Sequence, residues 1–172
     1  MKRTIALLAL TALIMATAGC AGGAGKTASV EDIFAFIKEK MVQDLKDAGY
    51  EDADFEAEEL PGYTVTDLKG EGAEHVLADL DKDLVEAGFV IKASMMLNSD
   101  QIVVIKAVSG KVGAVRQALE AEQAAQLQLW ESYLADQAEK VHNAIISARG
   151  DFVILIIYPD AEGIEAIFDE AV

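Results

Sequence analysis

Two rhythms of apolar residues run along this chain. Val30, Ile33, Phe34, Ile37, Met41 and Leu45 recur at the spacing of one helical face, and Ser29 with Asp32 forms a capping box ahead of them. Gly49 then stops the pattern, so an amphipathic helix is predicted from about residue 30. The opposite face carries Glu31, Glu39 and Asp44 rather than mainly lysine and arginine, which favours packing on its own domain over lying on a membrane. Phe89–Leu97 and Gln101–Ala107 are rich in β-formers and are separated by Asn98, Ser99 and Asp100, which predicts a hairpin. Val112, Val115, Leu119, Leu127, Trp130 and Leu134 return to helical spacing, giving a long helix from Lys111 to about Leu134. Asp136 and Glu139 resemble a second capping box, where the helix restarts.

A second hairpin is predicted from Ala144–Ala148, a turn at Arg149–Asp151, and the apolar run Phe152–Tyr158 that Pro159 ends. Ala161–Ala171 closes the chain as a helix with Ile164, Ile167 and Phe168 on one face. The halves share one pattern, so the expected fold is α+β. It is a two-layer antiparallel sheet from two ββα units, with a long central helix and an amino-terminal helix. The run Phe152–Tyr158 is apolar on both faces, which calls for cover on the second face from the amino-terminal helix or from a partner.

The amino terminus has a different pattern. Lys2 and Arg3 precede an almost unbroken apolar run, Ile5–Met15, and small residues lead to Cys20, as in an export signal. The run is shorter than the ~20 apolar residues that span a bilayer. Thr17, Ala18, Gly19 and Cys20 resemble the lipobox of bacterial lipoproteins, with Thr17 in place of the usual leucine. That resemblance implies cleavage before Cys20, the only cysteine, and its lipidation. Two acyl chains give stable anchoring. The organisation expected is a signal peptide over 1–19, a flexible Gly/Ala-rich tether over 20–28, and one domain over 29–172. Gly25, Lys26 and Thr27 echo a phosphate-binding loop, but the spacing from Gly19 is one residue too long and no strand precedes it.

Charge narrows the partners. The formal charge is −16, and removal of Lys2 and Arg3 leaves 12 basic against 30 acidic residues, or −18. Nucleic acid and anionic membrane surfaces are repelled. Six of the nine residues of segment 51–59 are acidic, which reads as a solvated loop. Asp79, Asp81 and Asp83 have the spacing that opens a calcium loop, but Leu84 and Val90 stand where glycine and the bidentate glutamate belong.

Leu80–Asp81, Leu84–Glu86, Val90–Met95, Ser99–Ile102 and Gly110–Lys111, with Trp130-x-x-Tyr133, Gln137, Val141, Asn143, Ala144 and Gly150–Val153, resemble the bacterial lipoprotein family named domain of unknown function 4358. Ala135 stands where that family commonly has proline. The resemblance implies fold and location and carries no catalytic residues.

No nucleophile motif accompanies His75 or His142, and no zinc motif exists, so no catalytic, metal or cofactor residues are assigned. The expected role is a non-catalytic binding or interaction module of the cell envelope, held on the outer side of the membrane and meeting an envelope protein. Trp130 and Tyr133 are the candidate interaction surface, although helical spacing makes Trp130 a core residue first. An envelope hydrolase using paired carboxylates and a divalent-cation binder are the alternatives.

Overall fold

In the computed structural model the described residues are 28–57, 59–73, 76, 77 and 80–172. The export signal, Cys20, His75 and Asp79 lie outside them. The elements are α1 (Val30–Asp47), α2 (Asp54–Ala57), β1 (Tyr63–Asp67), β2 (Val85–Ala93), β3 (Gln101–Ala107), α3 (Val112–Glu131), α4 (Ala135–His142), β4 (Ile145–Arg149), β5 (Phe152–Ile157) and α5 (Ala161–Ala171). The strands form one antiparallel sheet in the order β1-β2-β3-β5-β4, so the fold is α+β as its pattern requires.

The sheet is covered on both faces. Ile102, Val104, Ile154 and Ile156 point into a core with Ile33, Ile37, Met41, Ile164 and Phe168 of α1 and α5. Alternate residues Val103, Ile105, Val153 and Leu155 point into a second core with Val115, Leu119, Trp130 and Val141 of α3 and α4. The expected two layers are therefore three. The two ββα units send α3 and α5 to opposite faces, because β3 and β5 are neighbours and every residue of β5 is buried. The second cover that the run Phe152–Tyr158 demands comes from within the chain.

Local chemistry sets the helix ends. Ser29 and Asp32 make the reciprocal capping box of α1, with the Asp32 N–H donating to Ser29 Oγ at 3.1 Å and the Ser29 N–H to Asp32 Oδ2 at 3.0 Å. The restart after α3 falls at Ala135, with Leu134 as an N-cap that has no side-chain bond, so Asp136 and Glu139 do not form the expected box. Ala135 is thus the first helical residue, the position where a proline costs a helix nothing.

Three further expectations shift. Segment 51–59 holds the short helix α2, and its acids face the lysines of α1: Lys38 lies 2.9 Å from Glu59 and Lys46 2.6 Å from Asp52. Tyr63–Asp67 is an edge strand that its mixed polar pattern does not announce. The first strand of the first hairpin starts and ends four residues early while the second lies where expected, so Met95, Met96 and Leu97 belong to a loop over residues 94–100.

Gly88 marks the tightest backbone approach in the sheet, since a Cβ there would lie 2.6 Å from the Val104 carbonyl oxygen and 2.9 Å from Leu68 Cδ1. Gly88→Ala is expected to lose about 2 kcal/mol in urea unfolding through overpacking, and Ser29→Ala about 1 kcal/mol through the lost cap. A Gly88→Ala protein as stable as the parent would show that β2 and β3 are not held at this separation.

Candidate functional site

The loop between β2 and β3 combines a fixed base with an exposed apolar tip. At one root, the Ser94 N–H donates to the Gly62 carbonyl at 2.9 Å, and the Ser94 and Thr64 hydroxyls lie 3.0 Å apart. At the other root sits a buried ionic network. Asp100 has a side chain only 5% exposed, and its Oδ1 accepts from Lys140 Nζ of α4 at 2.6 Å. Its Oδ2 accepts from the Tyr63 hydroxyl of β1 at 2.7 Å and from Asn98 Nδ2 at 3.0 Å. Lys140 also donates to Asn98 Oδ1 at 3.1 Å and Gln137 Oε1 at 3.0 Å. The same Gln137 oxygen accepts from the Ser99 N–H at 2.9 Å and the Ser99 hydroxyl at 3.0 Å. Each polar side chain in this group thus holds the loop to β1 or α4.

A second polar group lies at the same end of the sheet. Lys40 Nζ is 2.6 Å from Asp44 Oδ1 and 2.7 Å from Asp160 Oδ2, and the Tyr158 hydroxyl donates to Asp44 Oδ2 at 3.1 Å. Burial raises the ionisation point of Tyr63 well above the ordinary tyrosine range, and the hydrogen bond and charge of Asp100 raise it further. Tyr158 is raised by burial and then by Asp44. Both tyrosines are held as neutral donors to carboxylates.

Between these anchored roots the tip stands in solvent. Met95, Met96 and Leu97 are exposed, Met96 to 84%, and Leu129 and Tyr133 at the end of α3 are exposed beside them. Met95, Met96, Leu129, Trp130 and Tyr133 wall a groove of about 530 Å³, with Lys92, Asn98 and Gln126 as polar lining. This volume lies in the range of ligand and side-chain pockets. Trp130 and Tyr133, paired by sequence, divide their roles. Trp130 is 6% exposed, packs in the α3/α4 core and donates its indole N–H to Gln126 Oε1 at 3.2 Å. Tyr133 is 57% exposed, with its ring centroid 6.0 Å from that of Trp130.

A larger groove of about 680 Å³ runs between α1 and α5, lined by Phe36, Val42 and Ile167 with Lys40 and Lys46 among them. It adjoins the Lys40–Asp44–Asp160 group but is walled by two helices, with no braced loop beside it. Asp81 of the calcium-like spacing caps a 3-10 turn, Lys82–Leu84, by accepting the Asp83 N–H at 2.9 Å. Among the described residues no group of three His, Cys, Asp or Glu side chains can hold a metal ion. His142 is exposed at the end of α4. Among those residues, too, no helix is long and apolar enough to cross a membrane.

Asp100, Lys140 and Tyr63 carry no individual motif, which is why sequence reading passes over them as a cluster. The available signal is the polar run Asn98, Ser99 and Asp100 between two apolar strands, together with Gln137. Met95–Leu97 are hidden for the opposite reason, since they continue the apolar composition of the strand.

The family model described as Domain of unknown function (DUF4358) matches residues 75–158. No curated protein matches the chain, and no solved structure does. The matched stretch contains the tip loop, Lys140, Gln137 and the whole lining of the tip groove, whereas the α1/α5 groove lies outside it.

Lys140→Met is expected to cost ~3 kcal/mol in urea unfolding, because it leaves the Asp100 carboxylate buried without its cation. Adding Asp100→Asn should recover part of that loss, and a Lys140→Met protein of parental stability would show that the pair does not hold the loop.

The pH dependence has a fixed sign. Tyr63 and Tyr158 ionise above the ordinary value of 10.0 in the folded chain, so the stability they add is complete below that pH and is lost as pH rises past it. Thermal midpoints measured from neutral pH to strongly alkaline pH should fall above pH ~10, and Tyr63→Phe should flatten that fall. An unchanged slope in Tyr63→Phe would count against a buried neutral Tyr63.

Proposed function

We propose, from the premise that the chain belongs through residues 75–158 to the DUF4358 family, that it is a lipid-anchored extracytoplasmic lipoprotein. Its domain is a non-catalytic binding module that meets an envelope protein through the tip groove. The observation that carries this reading is the pairing of a rigid ionic base, Asp100 with Lys140, and an exposed apolar tip, Met95–Leu97 beside Tyr133. Monomeric surfaces seldom expose contiguous large apolar side chains without a use for them. Holding such a loop in one shape before contact removes ordering entropy from the binding step. A solvent-exposed loop with no contact to make needs neither the buried charge nor the methionines.

The anchor follows from the lipobox-like residues Thr17–Cys20. Cells fed labelled palmitate are expected to label the parent chain and not Cys20→Ser, with Cys20→Ser moving from the membrane fraction to the soluble one. Retention of label in Cys20→Ser would remove the anchor from this reading.

For the module, a photo-crosslinking residue placed at Met96 in the full chain should yield a discrete adduct in intact cells. The same residue at Lys111, exposed at the other end of the sheet, should not. Equal adducts at both positions, or none at Met96, would refute binding at the tip.

A further inference from the structure

We infer that the tip groove docks an apolar segment of a partner protein that carries basic flanking residues and approaches from the side away from the membrane. The direction rests on the proposed lipid anchor, whereas the chemistry of the groove stands without it.

The chain outside the described domain enters it at Ala28. The Ala28 N–H bonds the Ala171 carbonyl at 3.0 Å, and Ala28 lies beside Glu86, Lys106 and Phe152, at the beginning of β2 and the end of β3. The tip loop joins the other ends of those two strands. Nine residues of β2 separate the two places, about 30 Å at the rise of an extended strand. Cys20 precedes Ala28 by eight residues, a reach of at most about 28 Å. A domain hung from Cys20 therefore carries its groove at the end opposite to its attachment.

Charge selects among occupants. The chain is strongly acidic, which disfavours both an anionic bilayer and a second copy of itself. Around the groove the sign is the same. Glu122 takes hydrogen bonds from Gln126 and Gln101 beneath it, and the α3–α4 corner that bears Tyr133 also bears Glu131 and Asp136. Lys140 is already engaged by Asp100, leaving Lys92 as the one cation among the lining residues. An apolar segment fits the methionine walls, which adapt their shape to it, and basic residues on either side meet the acidic surround.

Trp130 supplies the measurement, because it is the only tryptophan in the chain and lines the groove. The full-length chain in phosphatidylcholine nanodiscs is titrated with short synthetic peptides free of aromatic indole. One has a leucine- and phenylalanine-rich centre flanked by lysines, one has the same centre flanked by glutamates, and one has a serine–glycine centre flanked by lysines. The lysine-flanked apolar peptide should change Trp130 emission saturably, and the other two should bind at least about tenfold more weakly.

Met96→Glu, in a fully solvated loop position, should weaken the first peptide by a similar factor. Glu131→Lys combined with Asp136→Lys should shift preference toward the glutamate-flanked peptide. Equal binding of the two apolar peptides, indifference to Met96→Glu, or no saturable change would overturn the proposal. So would the same emission change on adding phosphatidylglycerol vesicles alone, which would make the occupant a membrane. Concentration-dependent dimerisation abolished by Met96→Glu would overturn it in favour of a second copy. Cosedimentation of the chain with the nanodiscs reads the anchor separately, so loss of the anchor and loss of groove binding are distinguishable.

Discussion

Strand β5 imposes the constraint on which the rest of the architecture depends. All six of its residues are buried, alternating between a face met by α1 and α5 and a face met by α3 and α4. Water on either side would expose a row of isoleucine, leucine and valine. At about 25 cal/mol per Å² of apolar surface, leaving one such side chain solvated costs roughly 2 kcal/mol. Three layers follow, with β5 and β3 inside the sheet and the less deeply buried β1 and β4 at its edges. The amino-terminal helix is thereby part of the fold's minimum, because without it that face of β3 and β5 keeps only α5 as cover.

A sheet dry on both faces leaves few places for charge, and the structure puts charge at one end. Asp100, Lys140 and Tyr63 meet where β1, the tip loop and α4 converge, and Lys40, Asp44, Asp160 and Tyr158 meet on the other side of the same end. A buried ion pair gives little net stability over an apolar substitute, because desolvation consumes most of its attraction. Its consequence is geometric. Lys140 spans Asn98, Asp100 and Gln137 in one set of hydrogen bonds, which ties the root of the loop to α4.

Regular periodicity made most of this fold legible from sequence. The α1 capping box, the long α3, the β4–β5 hairpin and α5 all appear where apolar spacing and turn residues place them. What stayed hidden lacks a period. Strand β1 has only Tyr63 and Val65 as large apolar residues and earns its place by pairing with β2, a non-local interaction. Met95–Leu97 look like strand because apolar composition does not distinguish a buried residue from an exposed one. The helix restart at Ala135 uses an uncapped Leu134 rather than Asp136, so the cue that pointed to the break was not its cause. The ionic network joins residues up to 77 positions apart, Tyr63 to Lys140, through Asp100, and no local motif can announce it.

The two ends of the sheet therefore differ in kind, and that difference carries the functional argument. At the Ala28 end, the visible features are strand termini, the start of α1 and the Glu86–Lys106 pair at 2.6 Å, all accounted for by folding. At the opposite end, folding accounts for the buried pair and the tyrosines but not for three consecutive solvated apolar residues above them. A loop this short could close over Asn98–Asp100 with polar residues at lower cost in exposed apolar area. The network ties the loop through Asn98, Ser99 and Asp100, and none of its hydrogen bonds uses a side chain of Met95, Met96 or Leu97. It is these side chains that the proposed contact with a partner employs.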